Sequence, residues 1–226
     1  MELTPAFVLH RRPYRENSAL IQLFSWRYGR LSAVARLSKG RVGLLQPFTP
    51  LQLGLTGRSA LKTIARLESQ SLSIPLFGDA LYSGFYMNEL LYYLLPESDV
   101  YPLLYQTYQQ ALIELADTEV SLAATLRQFE LTLLSQLGYG LPTSTDIHPD
   151  LRYIFVPGQG FVVTDVQGQG YVGAMLQSLS HFDRCDTKQL KCAKKLCREQ
   201  LDELLAGRVL HSRELLVRHR AIQRED

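Results

Sequence analysis

Residues 18–37 read SALIQLFSWRYGRLSAVARL, and their alternation decides the fold of the first third of the chain. In the second half of this stretch Leu31, Ala33, Ala35 and Leu37 fall on one side, and Arg30, Ser32 and Arg36 on the other, with Val34 alone out of step. Side chains alternate across a strand, so this is a strand with one core face and one wet, positive face. In the first half Ile21 and Leu23 alternate with Gln22, while Leu20 and Phe24 leave the outer face partly apolar, and a second domain is expected to cover it. Working outward, Ala6–His10, Phe48–Leu55 and Leu61–Leu72 have the same character, and turn signals at Arg12-Pro13, Tyr28-Gly29, Lys39 to Gly43 and Thr56-Gly57 separate the five strands. Five short strands in about seventy residues suggest a small closed barrel, because an open sheet of that size leaves edges to be covered.

After Phe77 the period changes. Residues 79–95, DALYSGFYMNELLYYLL, are too long for a strand and apolar on nearly every side, which predicts a buried helix ended by Pro96. Helices follow at Tyr101–Ala116 and Ser121–Leu137, the latter closed by Gly138 and Gly140, with Leu122, Leu126, Phe129, Leu133 and Leu137 as its core stripe. Residues 141–150 read as a linker, Arg152–Val156 and Gly160–Thr164 as a hairpin around Pro157-Gly158, and the glycine-rich stretch to Gly173 as loop. Residues 186–205 return to helix on Leu190, Ala193, Cys197, Leu201 and Leu204, and a short helix ends near Arg220. The fold class expected is α+β: a barrel domain over 1–75 and a mostly helical domain with a small hairpin over 76–226.

Charge is segregated along the chain. Residues 1–75 hold eleven Lys or Arg and three Glu, a net +8, and residues 76–150 hold one Arg and ten acids, a net −9. The remainder is +3. A strongly positive domain attracts polyanions. No run of eighteen uncharged apolar residues occurs, and MELTPAFVLHRRPY lacks the pattern of a signal peptide, so a cytoplasmic protein without membrane attachment is expected. Three cysteines, all in the last fifth, fit a reducing compartment.

The residues that carry enzyme chemistry are missing from the sequence. There is no Walker lysine loop, dinucleotide glycine fingerprint or GxSxG elbow, and the three glutamates of the barrel are too scattered for a two-metal clamp. His181, Cys185, Cys192 and Cys197 are the one constellation of metal-ligating residue types, but no CxxC knuckle is present and Cys197 belongs to an apolar stripe, so no metal and no cofactor is expected. Binding is better supplied. Arg11, Arg12 and Arg15 follow the first strand, Arg27 and Arg30 flank the second turn, and Arg36, Lys39 and Arg41 surround the third, with Tyr14, Trp26 and Tyr28 among them. A cationic track with flat side chains is what a small barrel needs to hold nucleic acid, although core packing is the better account of Trp26 and a weaker one of Tyr14 and Tyr28. Lys188, Lys191, Lys195 and Arg198 form a ridge on the 186–205 helix, read either as a phosphate contact or as a solubilising face. Arg127, Leu131 and Leu134 share one side of the 121–137 helix, either as an exposed charge beside two leucines or as the rim of a helix buried on two sides.

Five stretches together resemble the RecO family of bacterial recombination mediators, in its proteobacterial branch: AFVLHRRPYRENSALIQLFSWRYGRLSAVARLSKG, LLQPFTPLQL, LYSGFYMNELLYYLLPE, LRQFELTLLSQLGYG and SRELL. The resemblance implies an N-terminal OB-fold and a helical domain, binding of single- and double-stranded DNA, and annealing of complementary strands. It also implies work at the nucleoid with RecR and the single-stranded DNA-binding protein to load RecA. In the family the acidic, phenylalanine-ended tail of the single-stranded DNA-binding protein docks on the helical domain. The matching segment makes Arg127, Leu131 and Leu134 its expected pocket here. Many members carry a four-cysteine zinc site soon after the position of Gly140, and residues 141–184 here contain no cysteine. Two rival readings are an RNA-binding barrel of the same type and a pure assembly factor.

Overall fold

The computed structural model describes residues 2–142, 145–166, 168–179 and 186–222. The chain forms two compact units, Met1–Val120 with Leu210–Asp226, and Ser121–Val209.

In the first unit β1 (Thr4–Pro13), β2 (Ser18–Ser25), β3 (Gly29–Arg36), β4 (Leu51–Thr56) and β5 (Lys62–Ser69) close into a barrel in the order β1-β2-β3-β5-β4. Pairing is antiparallel except between β3 and β5, where Ala33 faces Lys62. This is the five-stranded OB-like barrel expected from the alternation. Its interior holds Ala6, Val8, Ile21, Leu23, Leu31, Ala33, Leu51, Leu53 and Ile64. A short α1 (Lys39–Leu44) follows β3, in the stretch where Lys39 to Gly43 signals a turn.

The apolar outer face of β2 is covered within the same unit, by α2 (Gly78–Leu94) and α3 (Pro102–Ala116). Phe24 lies 5.4 Å from Tyr105, and Phe7 meets Tyr108 edge-on at 5.2 Å. One polar contact fixes the docking. The β1–β2 register shifts between Val8 and His10, and such a bulge leaves backbone groups outside the ladder. Asn88 of α2, itself buried, donates to the Leu9 carbonyl at 3.2 Å and accepts from the Tyr108 hydroxyl at 2.6 Å. A buried carbonyl needs a partner, so the helix supplies what the bulge removed.

Two glycines allow close approach. Gly29 has φ +62°, and a Cβ there would stand 1.7 Å from the Asp99 carbonyl oxygen. Gly84, inside α2, lets the Phe48 ring sit where a Cβ would be 2.8 Å away. The chain returns to this unit as α7 (His211–Ile222), whose first N–H groups, those of His211 and Ser212, donate to the Glu89 carboxylate of α2 at 3.1 and 2.9 Å. An anion at a helix N-terminus satisfies donors that have no intrahelical acceptor. Nearer its end, Arg220 forks onto Asp79 at 2.9 and 2.7 Å.

The second unit packs α4 (Leu122–Gln136) against α6 (Thr187–Leu205), with β6 (Arg152–Val156), β7 (Gly160–Val163) and β8 (Tyr171–Val172) in a small sheet and α5 (Gly173–Ser178) after it. The hairpin and helices match the sequence reading. The glycine-rich stretch, expected to be loop as far as Gly173, carries β8 instead, and α5 begins at that glycine. Two residues of strand and six of helix are too short for a period to show. Asp186 and Gln189 form a capping box at the start of α6.

Candidate nucleic-acid interface

The barrel arginines divide by what their guanidinium groups touch. Arg11 donates to the Val42 carbonyl at 3.2 Å, and Arg41 to the Ala65 carbonyl at 3.0 Å, so both brace α1. Arg30 donates from Nε to the Leu95 carbonyl at 2.7 Å and pairs with Glu97 at 3.2 Å, and Arg27 pairs with Glu2. Arg12, Arg15 and Arg36 are exposed and have no hydrogen bond or ion pair among the described residues. The side chain of Lys39 lies outside what is described. Arg58, in the β4–β5 turn, is exposed in the same way and was not singled out from sequence, because it stands alone between Gly57 and Ser59.

Position separates the same residues again. Ser18 pairs with Arg36 at one end of β2, and Ser25 with Gly29 at the other. Eight residues of strand put those ends about 23 Å apart. The β1–β2 turn with Tyr14 and Arg15 therefore does not converge with the β2–β3 turn that carries Trp26, Arg27 and Tyr28. On the outer face the second end is under α2 and α3. At the first end, cross-strand register places Arg12 opposite Leu20, Leu20 opposite Val34, Arg36 opposite Ser18 and Val34 opposite Thr63, all on one face. Arg12, Arg36 and Thr63 are exposed there. Tyr14 is half-buried at the rim with the Arg15 guanidinium 5.1 Å over its ring, and Glu16 is the one acid of that turn.

On α6, Lys188, Lys191, Lys195 and Arg198 are all exposed. Two of them are partly neutralised, Lys195 by Glu199 at 3.9 Å and Arg198 by Asp202 at 3.5 Å. Lys188 and Lys191, with Lys194 beside them, have no such partner among the described residues.

The Arg127 group is not an open pocket. Arg127 and Leu134 are buried, Leu131 is half-buried, and Arg127 is paired with Glu130, which is only 1% exposed. This is the helix buried on two sides. Burial, with Glu130 beside it, pushes the Cys197 thiol well up. At the end of α4 lies a cavity of about 450 Å³, lined among others by Tyr139, Phe155, Phe161 and Gln200. His181 and Cys185 lie outside the described residues, and among those described no group of three or more His, Cys, Asp or Glu is placed to hold a metal. No described helix is long and apolar enough to cross a membrane.

Comparison with known proteins matches residues 1–72 to the model for the N-terminal part of recombination protein O, and residues 78–214 to the model for its C-terminal part. The chain belongs to the RecO family. It is 41% identical to the DNA repair protein RecO of Tolumonas auensis over 95% of this chain and 94% of that one. With the RecO of Stutzerimonas stutzeri the identity is 44% over 94% and 92%, and with that of Coxiella burnetii 40% over 95% and 97%. Membership brings the family's general role in recombination and DNA repair.

Proposed function

We propose that this chain binds DNA on the open half of the outer barrel face, anneals complementary single strands and, with RecR, helps load RecA onto DNA coated with single-stranded DNA-binding protein. The observation that carries the first step is the grouping of Arg12, Arg15 and Arg36, exposed and without carboxylate partners, around a half-buried Tyr14. Phosphates take the place of the counterions such a face collects, and an aromatic ring at its rim stacks on any base. The strand 2–3 face is also where OB barrels generally receive oligonucleotides. Arg11, Arg27, Arg30 and Arg41 contribute to the field, while their donors are committed to the fold.

Annealing requires that the repulsion between two backbones be lowered, and the α6 ridge is a second cationic surface in a separate unit. Replacing Lys188 and Lys191 by Glu is expected to slow annealing several-fold while changing single-strand affinity by less than about twofold, since the barrel face is untouched. Fluorescence-resonance annealing and anisotropy on the same oligonucleotides measure both. Equal loss in the two assays would show that the ridge has no separate role.

The acidic tail of the single-stranded DNA-binding protein is proposed to meet the Ser121–Val209 unit along α4. At Arg127, Leu131 and Leu134 it has to displace Glu130 from its pairing, an exchange of one buried carboxylate for another. The aromatic cavity at the end of the same helix needs no such exchange and suits a phenyl ring.

A further inference from the structure

The outer face of α3 has a chemistry opposite to that of the barrel face assigned to DNA. On the inner side of this helix Leu104, Tyr105, Tyr108, Leu112 and Leu115 are buried. On the opposite side Leu103, Gln106, Gln110, Ile113 and Asp117 follow at steps of three and four and are exposed, the leucine by 55% and the isoleucine by 50%. Val100 before the helix and Val120 after it are exposed as well. Asp99 at one end, and Asp117 and Glu119 at the other, are exposed carboxylates without a cationic partner among the described residues. No Lys, Arg or His occurs between Arg66 and Arg127, so neither α2, α3 nor the segments joined to them supply a cation.

Apolar side chains bordered by unpaired charge of one sign suit a surface of the opposite sign. The same unit displays one, Arg12, Arg15 and Arg36 around the half-buried Tyr14 and Val34. The two faces do not meet within one molecule. α3 covers the Ser25 end of β2, where Phe24 lies against Tyr105, and the arginines stand at the Ser18 end, about 23 Å away along the strand. Between two molecules nothing separates them.

We propose that copies of this chain associate head to tail, the arginine face of one on the outer α3 face of the next. Guanidinium groups then meet carboxylates, and the apolar side chains between them leave water. Charge complementarity selects the occupant: a nucleic acid is repelled from the α3 face, while a second copy brings a matching surface that this unit itself supplies. Because the two patches differ, the contact is heterologous and extends to a row of copies where the rotation does not close. The inference shares its arginines with the DNA-binding reading above, and on that reading a single strand and a second copy compete for one face. The assembly is therefore a stored form that DNA dissolves.

Sedimentation velocity of the full-length protein over a concentration series tests this. Wild type is expected to self-associate at low ionic strength and to be monomeric at about 0.5 M salt, where the screening length is down to about 4 Å. One variant carries Asp99→Lys, Asp117→Lys and Glu119→Lys, and a second carries Arg12→Glu, Arg15→Glu and Arg36→Glu. Each alone is expected to be monomeric at low salt, with a thermal melt like that of wild type because all six side chains are exposed. Mixed in equal amounts they are expected to associate again, since one then has two basic faces and the other two acidic ones. A single-stranded oligonucleotide is expected to dissolve the wild-type assembly. Wild type that stays monomeric at every concentration at low salt, association retained by the lysine variant, or a mixture of the folded variants that stays monomeric overturns the proposal. Association that follows the charge exchange but withstands the oligonucleotide upholds the head-to-tail contact and counts instead against DNA on the same face.

Discussion

Replacing Arg12, Arg15 and Arg36 together by alanine is expected to weaken single-strand binding roughly a hundredfold near physiological salt, with thermal unfolding nearly unchanged. The three side chains are exposed and make no hydrogen bond or ion pair among the described residues, so their removal opens no cavity and strands no buried partner. Each released phosphate contact changes the slope of log affinity against log salt by about 0.7 for a single strand, so the slope should fall by about 2. The matching triple at Arg11, Arg30 and Arg41 should do the reverse. Those guanidinium groups donate to backbone carbonyls of α1, of the segment after α2 and of β5, and their loss should lower the unfolding temperature more than it changes the salt slope. Anisotropy over a salt series with a parallel thermal melt separates the two behaviours. A triple at Arg12, Arg15 and Arg36 that binds with the wild-type slope contradicts the placement of the interface.

The second large effect is on stability. Arg127→Leu is expected to destabilise the Ser121–Val209 unit by about 3–5 kcal/mol, because it leaves the Glu130 carboxylate uncompensated inside the protein. Arg127→Leu combined with Glu130→Leu should recover most of that loss, since a buried ion pair replaced by apolar groups of similar volume is often neutral or better. Denaturant unfolding of the wild type, the two single variants and the double variant measures the coupling. Additive losses would mean that the pair is not the unit it looks to be. The same geometry shows that Arg127→Glu is a poor probe of tail binding, since it sets two carboxylates against each other in a buried site.

Much of this was legible in the sequence, and the limits have physical causes. The alternation in residues 30–37 survives in the burial of β3 because one face of that strand is core and the other is not. In β2 the pattern is blurred for the reason its composition hinted at: helices cover the outer face, so both sides are apolar. The charge of the barrel was readable, but the separation of bracing arginines from free ones was not. That depends on cross-strand register, on the bulge at Leu9 and on where the chain returns after α2. Asn88 carried no local signal, because its carbonyl partner lies about eighty residues earlier. The pairing of α7 with α2 likewise joins distant segments. Arg127 was different, since Glu130 stands three positions on and the ion pair was there to be read from helical spacing.

The measurement that tests the central claim most directly is annealing of complementary oligonucleotides coated with the cognate single-stranded DNA-binding protein, in its intact form and in a form lacking the acidic tail. The expected result is annealing that needs this protein and the intact tail, and that is lost when Arg12, Arg15 and Arg36 are replaced. Folded protein that leaves the coated strands unannealed, or the triple variant annealing as fast as wild type, would contradict it.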